Sequence, residues 1–215
     1  MNQPSWERTE LPLRKKIIGK FKYGLISQAI LNQLNRIGIT IKPYYLVQEG
    51  IIQAETPEIN GIVSNYTVEF LEAEEIKKLG MNPWGISADK QIADLKAGNK
   101  CLALKHNNEI ASSMWINLME FDFRPARTSL KNDEAYLSSM YTSESYRGKN
   151  LAPYLRFKSY EFLKQMGRNK IYSVTEFFNP SASRYKEKLN ARNLKLILYI
   201  EIFGKFRRNV TLKTF

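Results

Sequence analysis

From Tyr66 to the C-terminus the hydrophobic spacing switches repeatedly between a period of two and a period near 3.6, which constrains the fold more than any other feature of this sequence. Tyr66–Phe70 alternates as a strand, and Glu72 to Leu79 reads as a short helix with an acidic start and a basic end, closed by Gly80. Ser87 to Gly98 reads as a second helix, with Ser87 as N-cap and Gly98 past its end. Strands are expected at 100–105 and 110–118, joined by the turn His106-Asn107-Asn108-Glu109, and again at 134–142. A helix over 151–166, a strand over 171–175, a helix near 181–189 and strands near 194–203 and 207–214 complete the series. This order of strands and helices reads as α/β, of the α+β mixed-sheet kind.

The first 65 residues read differently. Residues 11–37 form a basic amphipathic pattern, with Ile17, Phe21, Leu25, Ile30 and Leu34 at helical spacing and Lys15, Lys16, Lys20 and Lys22 between them. The run Ile39–Val47 reads as a short strand, made an edge or irregular one by Pro43, and residues 48–65 read as a connector. The division expected is therefore an N-terminal amphipathic helix and connector, 1–65, and a main domain, 66–215. The helix packs on the sheet or on a second subunit, as in a homodimer, or touches an anionic membrane peripherally.

Composition narrows the chemistry. One cysteine, Cys101, and one histidine, His106, leave no His/Cys metal cluster, no intramolecular disulfide and no conventional Ser-His-Asp arrangement, so no metal is expected. The N-terminus lacks the order of a secretory signal and no apolar run is long enough to span a bilayer, so a soluble cytoplasmic chain is expected. The net charge of +12 is concentrated: residues 143–215 hold 16 Lys+Arg against 5 Asp+Glu, whereas residues 51–142 hold 9 against 13. That last third suits an anionic partner. Its aromatic residues Tyr154, Phe157, Tyr160 and Phe162 sit at spacings that suit a packed helix as well as a stacking platform, and nucleic acid is not the partner expected.

Between a strand and a helix lies Tyr146-Arg147-Gly148-Lys149-Asn150-Leu151-Ala152. Backbone N–H groups at a helix N-terminus, with the helix dipole behind them, form a cradle for phosphate, and Arg147 and Lys149 add charge. The segment resembles the acyl-CoA-binding loop of the GNAT (Gcn5-related N-acetyltransferase) superfamily: Arg147 opens the motif and Ala152 closes it. Asn150 stands where the family usually has glycine, a change that the tolerance of Asn for left-handed backbone angles permits. Further on, Asn179-Pro180-Ser181-Ala182 and Glu187-Lys188-Leu189 resemble the family's later motif, at a fitting distance, with Asn190-Ala191 in place of the usual Gly-Phe.

The resemblance covers about residues 66–214. It implies a GNAT fold, a central mixed sheet with splayed strands and flanking helices, here with an N-terminal helical extension. It also implies a donor site made by Met140, Tyr141 and Thr142 as a main-chain ladder, by Arg147, Gly148, Lys149, Asn150, Leu151 and Ala152 as the phosphate loop, and by Asn179 and Lys186. The family's general-acid tyrosine falls in register on Lys186, with Tyr185 one place earlier; Lys186 is then solvated or faces the donor. For the general base, the family's glutamate position falls on Tyr136, Glu134 lies two residues earlier on the same strand face, and Glu176 is the second choice. His106 is expected at an exposed turn far from the cleft.

What the resemblance implies is an N-acyltransferase that moves an acyl group, acetyl or longer, directly from a thioester to an amine. The donor is acyl-CoA or an acyl carrier protein; the acceptor is a small-molecule amine, an amino sugar, or a Lys or Orn side chain of a peptide. The alternative is a non-catalytic GNAT-like module that binds acyl-CoA or an acyl carrier. Residues 80–88, with Trp84, and 119–133, with Arg124 and Arg127, are where acceptor choice is expected to be shaped.

Overall fold

The computed structural model describes residues 25–50, 55–61, 65–79, 85–123 and 126–215. In chain order the elements are α1 (Leu25–Arg36), β1 (Ile39–Gln48), β2 (Tyr66–Phe70), α2 (Ala73–Leu79), α3 (Ala88–Lys96), β3 (Lys100–His106), β4 (Glu109–Asn117), β5 (Glu120–Phe123), β6 (Ala126–Ser129), β7 (Glu134–Thr142), α4 (Leu151–Gln165), β8 (Lys170–Glu176), α5 (Pro180–Lys188), β9 (Arg192–Ile202) and β10 (Phe206–Thr214). Eight strands form one mixed sheet in the order β10-β9-β1-β8-β7-β4-β3-β2, and β5 and β6 form a separate hairpin. Only β7 and β8 pair in parallel within that sheet.

Alternation along the strands gives the sheet two apolar faces. Leu102 and Leu104 of β3, Met114 and Ile116 of β4 and Leu137 of β7 pack with Leu151, Leu155 and Leu163 of α4. Cys101, Ala103 and Trp115 point the other way, onto Leu71 and Ile76, with Ile92 and Leu95 of α3 beside them. Burial pushes the Cys101 thiol up to about 12, which leaves it a neutral, space-filling side chain. Ser87 caps α3 by accepting from Lys90 N at 3.3 Å, and the Asn107-Asn108 turn between β3 and β4 has both residues at positive φ, as the hairpin reading requires.

The N-terminal region departs from the sequence reading. Of the expected helix 11–37, residues 25–36 are helical and residues 11–24 lie outside the described residues. β1 is not an edge: it pairs with β9 along its length and with β8 from Tyr44 to Gln48, inside the sheet built by the C-terminal part of the chain. Pro43 is tolerated because it lies just beyond the β8 pairing, where its carbonyl still accepts from Phe177 N at 3.0 Å. Because the N–H and C=O of a residue in an antiparallel pair face the same neighbour, the missing N–H costs one bond at the end of the β8 pairing and leaves the β9 ladder whole.

Candidate functional site

β7 and β8 pair from Glu134 opposite Lys170 to Leu137 opposite Ser173 and then part. Past that point β8 pairs with β1 and no longer with β7, with Val174, Thr175 and Glu176 opposite Leu46, Tyr45 and Tyr44. β7 stays with β4, but through a bulge: the register shifts between Ser113 and Trp115, and Ser139 takes a left-handed φ of 50°. A bulge bends its strand and breaks the ladder, so Ser138, Ser139 and Met140 present an edge to the gap. The cleft so formed, about 710 Å³, is walled by those residues and Thr142 on one side, by Val174, Thr175 and Glu176 on the other, and by Tyr185 and Lys186 of α5.

One end of the cleft is the loop before α4. Gly148 has φ 81° and Asn150 has φ 62°, ψ 24°, and Asn150 makes no side-chain cap on α4. Its amide instead donates to the Glu58 carbonyl at 2.6 Å, while Asn60 donates from its backbone to Lys149 O at 3.0 Å and from its side chain to Gly148 O at 3.1 Å. Residues 58–60 thus hold the loop from outside and leave the first turn of α4, Leu151 and Ala152 included, facing the cleft. That is a geometry for a phosphate: orphan N–H groups and the positive end of the dipole. Arg147 is exposed and pairs with Glu144 at 3.1 Å, and the Lys149 ammonium lies 4.9 Å from the centre of the Tyr146 ring.

The inner wall of the cleft is a buried ionic cluster. Glu49, the residue after β1, accepts hydrogen bonds from Tyr160 and Ser173. It lies 3.4 Å from both Arg156 Nη2 and Lys186 Nζ. Lys186 Nζ also donates to Ser173 Oγ and Thr175 Oγ1, each at 2.6 Å, and to Val174 O at 3.3 Å. Burial opposes ionisation of Glu49, but Arg156, Lys186 and the two hydroxyl donors outweigh it and hold the carboxyl below its ordinary range. Burial pushes the Lys186 ammonium down to about 8, against the pull of Glu49. Two cations face one carboxylate, so the cluster carries a surplus positive charge at neutral pH.

The structure gathers some of the sequence-derived candidates and separates others. Met140, Thr142, Arg147, Gly148, Asn150, Leu151, Ala152, Glu176, Asn179, Tyr185 and Lys186 all line the cleft. Tyr141 pairs with Ser113 of β4, and its carbonyl accepts from Ser112 Oγ at 2.7 Å. Asn179 caps α5 by accepting from Ala182 N at 3.1 Å. Lys186 is buried rather than solvated, and its ammonium is held by protein oxygens.

Glu134 does not come to the cleft: it sits at the paired end of β7 and accepts from Lys131 N at 3.0 Å, about 10 Å of strand before the parting at Leu137. Tyr136 is buried and stacks on Phe121 with ring centres 4.2 Å apart, and burial raises its hydroxyl to about 12. His106 is not at an exposed turn; it ends β3, with Nδ1 3.2 Å from the Tyr146 hydroxyl. Tyr154, Phe157 and Phe162 pack on the core instead of forming a stacking platform, and Tyr160 is buried in it. Arg127 pairs with Glu120 at 3.0 Å; Arg124 and Trp84 lie outside the described residues. Among the described residues no cluster of His, Cys, Asp or Glu is arranged to hold a metal ion, and no helix is long and apolar enough to cross a membrane.

Glu49, Arg156 and Ser173 were missed by sequence reasoning. Arg156 carried a signal, since it shares the buried α4 stripe with Pro153, Tyr160 and Leu163, where an arginine needs a partner. Glu49 carried none, because it reaches the cluster only through the non-local pairing of β1.

A family model described as "Acetyltransferase (GNAT) family" matches residues 65–190. No curated protein matches the sequence. Among solved structures, a GNAT-family acetyltransferase from Colwellia psychrerythraea superposes with a TM-score of 0.57 at 14% identity, over 90% of this chain and 75% of that one. A GCN5-related N-acetyltransferase from Kribbella flavida gives 0.53 at 12%, over 85% and 63%. A Drosophila protein gives 0.56 at 13%, over 85% of this chain and 59% of its own length, so the present chain spans less than two thirds of these last two. At such identities the superpositions speak for the fold alone, while the family match covers more than half of the chain. A parallel strand pair that parts beside an open helix N-terminus, within a sequence that the family model recognises across both motifs, makes this chain a member of the GNAT acetyltransferase family.

Proposed function

We propose that the protein is an N-acyltransferase that takes an acyl group from an acyl-CoA and passes it directly to an amine. The observation that carries this reading is the parting of β7 and β8 after Leu137 and Ser173, in line with the uncapped first turn of α4. The loop supports binding of the donor's phosphates, and the freed edge at Ser138–Met140 supports hydrogen bonding to its extended arm.

Glu176 lines both this cleft and a second cavity of about 200 Å³, which is bounded by Asn32, Asn35, Thr40 and Lys42. On β8, Glu176 points to the face opposite Thr175 and Lys186. An acceptor amine entering by that cavity meets Glu176 before the thioester. In the reaction, the amine nitrogen bonds to the thioester carbon and the carbon–sulfur bond breaks. Glu176 receives the proton lost by the amine, and Tyr185 supplies one to the departing thiolate. Burial raises the Tyr185 hydroxyl, with Arg156 opposing, so it stays protonated at neutral pH and is able to act as an acid.

The test is a pair of measurements: thermal stabilisation by acetyl-CoA and longer thioesters, and thiol release from the stabilising thioester across a panel of amines. Stabilisation together with amine-dependent thiol release is expected, with release lost in Glu176→Gln. Stabilisation without release from any amine would leave a donor-binding module and overturn the transferase reading.

A further inference from the structure

Arg156 is 2% exposed, yet its Nε and Nη1 have no hydrogen-bond partner in the protein, and the side chain lines the cleft. Its remaining nitrogen, Nη2, is the one beside Glu49, at 3.4 Å. Buried polar groups are nearly always satisfied, and leaving a charged donor unpaired is costly. Behind it Glu49 is already shared with Lys186, Ser173 and Tyr160, and the Tyr185 hydroxyl beside the guanidinium is neutral and leaves its charge uncompensated. Arg156 and Lys186, the two cations of the cluster, both line the cleft.

Ser138, Ser139, Thr175, Tyr185 and Lys186 line the cleft with Arg156, beside apolar Met140 and Val174. An aliphatic chain seated among them would desolvate the guanidinium without giving it an acceptor. A carboxylate would accept from one of these N–H groups and neutralise the surplus charge.

We infer that Arg156 is the counter-ion for a carboxylate carried by one of the reactants, so that this cleft selects a carboxylate-bearing acyl group or acceptor over fatty acyl chains. The inference rests on the acyltransferase reading only for which reactant carries the carboxylate; the anion site follows from Arg156 itself. Arg156 lies on the α4 side of the sheet, with the phosphate loop, whereas the Glu176 cavity opens on the other face.

The test compares isosteric pairs by calorimetry on the full chain. The donor arm sets succinyl-CoA against butyryl-CoA. The acceptor arm, with acetyl-CoA present, sets amino acids against their amides. A third arm, without any thioester, sets succinate against succinamide. A preference of roughly ten- to a hundred-fold for the carboxylate is expected in the donor or acceptor arm, the scale of one charged hydrogen-bonded contact, and a smaller preference of the same sign for succinate. The arm in which the large preference falls identifies its source.

Arg156→Gln should bring the preference close to one, and Arg156→Lys should retain part of it; where the Gln variant does not fold, the Lys variant and the wild-type pairs still decide. Equal binding within every pair overturns the inference. Failure of every thioester to bind, with succinate still preferred over succinamide, would overturn the acyl-CoA reading and leave the anion site standing.

Discussion

Glu49, at the end of the N-terminal strand, lies 3.4 Å from the ammonium of Lys186 on the helix beyond the cleft, and both side chains are buried. This contact ties the first strand of the chain to the wall of the candidate active site. Removing one member of a buried ionic group leaves its partners uncompensated, at a cost of about 3–5 kcal/mol. Glu49→Gln is therefore expected to destabilise the protein by about 3 kcal/mol in urea at neutral pH, and Glu49→Gln with Lys186→Met should recover part of that loss. A single-variant effect below roughly 0.5 kcal/mol, the range of ordinary surface changes, would show that the cluster contributes little.

Glu49 also sets an acid limit on the fold. Its carboxyl is held below its ordinary value of 4.5 by Arg156, Lys186, Ser173 and Tyr160 despite burial, so between the folded and unfolded pKa the unfolded chain binds the extra proton. Stability from this group is complete above about 4.5 and is lost as pH falls through the folded pKa. Urea titrations from pH 6 downward should show a steeper fall in stability for wild type than for Glu49→Gln, and equal slopes would contradict the assigned shift.

At the alkaline end Lys186 works with the opposite sign. Burial lowers its ammonium to about 8 from 10.5, so from pH 8 to 10.5 the unfolded chain holds a proton that the folded chain has released. The penalty for burying the charge is full below pH 8 and is relieved as pH rises through this window. Wild type should therefore gain stability relative to Lys186→Met between pH 8 and 10, as read from urea midpoints of the two proteins. Parallel curves would place the lysine's folded pKa near its unfolded value.

Most elements from β2 onward were legible because each is a local pattern: alternation in β2 and β7, helical spacing with caps in α3 and α4, the Asn-Asn turn after β3; the β5–β6 hairpin was not, and falls where a loop over 119–133 was expected. The phosphate loop was legible for the same reason, down to the left-handed Asn150. β1 was misjudged because Pro43 is a local signal, whereas the strand's place is fixed by partners at 172–176 and 192–202. The bulge at Ser139 was equally hidden, since a serine at positive φ gives no cue of the kind a glycine gives. Glu134 and Tyr136 were placed by strand counting alone, and counting along β7 does not reveal where the parallel pairing ends.

Asn150 combines two roles that substitutions can separate. Its φ of 62° favours Asn or Gly, and its amide donates to the Glu58 carbonyl at 2.6 Å. Asn150→Gly keeps the backbone and loses the tether, whereas Asn150→Val loses both and forces a β-branched residue into left-handed angles. The glycine variant should lower acetyl-CoA affinity by no more than about ten-fold, one neutral hydrogen bond's worth, and the valine variant by clearly more, with a lower melting temperature. If the two behave alike in calorimetry, backbone conformation at this position is not what shapes the loop.

Arg147 tests whether the loop recognises phosphate. The side chain is exposed and paired only with Glu144, an interaction of little consequence in water, so Arg147→Glu should leave the melting temperature of the ligand-free protein nearly unchanged. It should weaken acetyl-CoA by at least about ten-fold, because a charge-assisted contact is lost and a repulsion takes its place. Added salt should narrow the gap between wild type and variant by screening that exposed charge. The thioester of pantetheine, which carries the arm without the nucleotide phosphates, should bind both proteins equally weakly. Equal affinity of the two proteins for acetyl-CoA at low salt would remove Arg147 from the donor site and shift phosphate recognition to the backbone N–H groups of the first α4 turn.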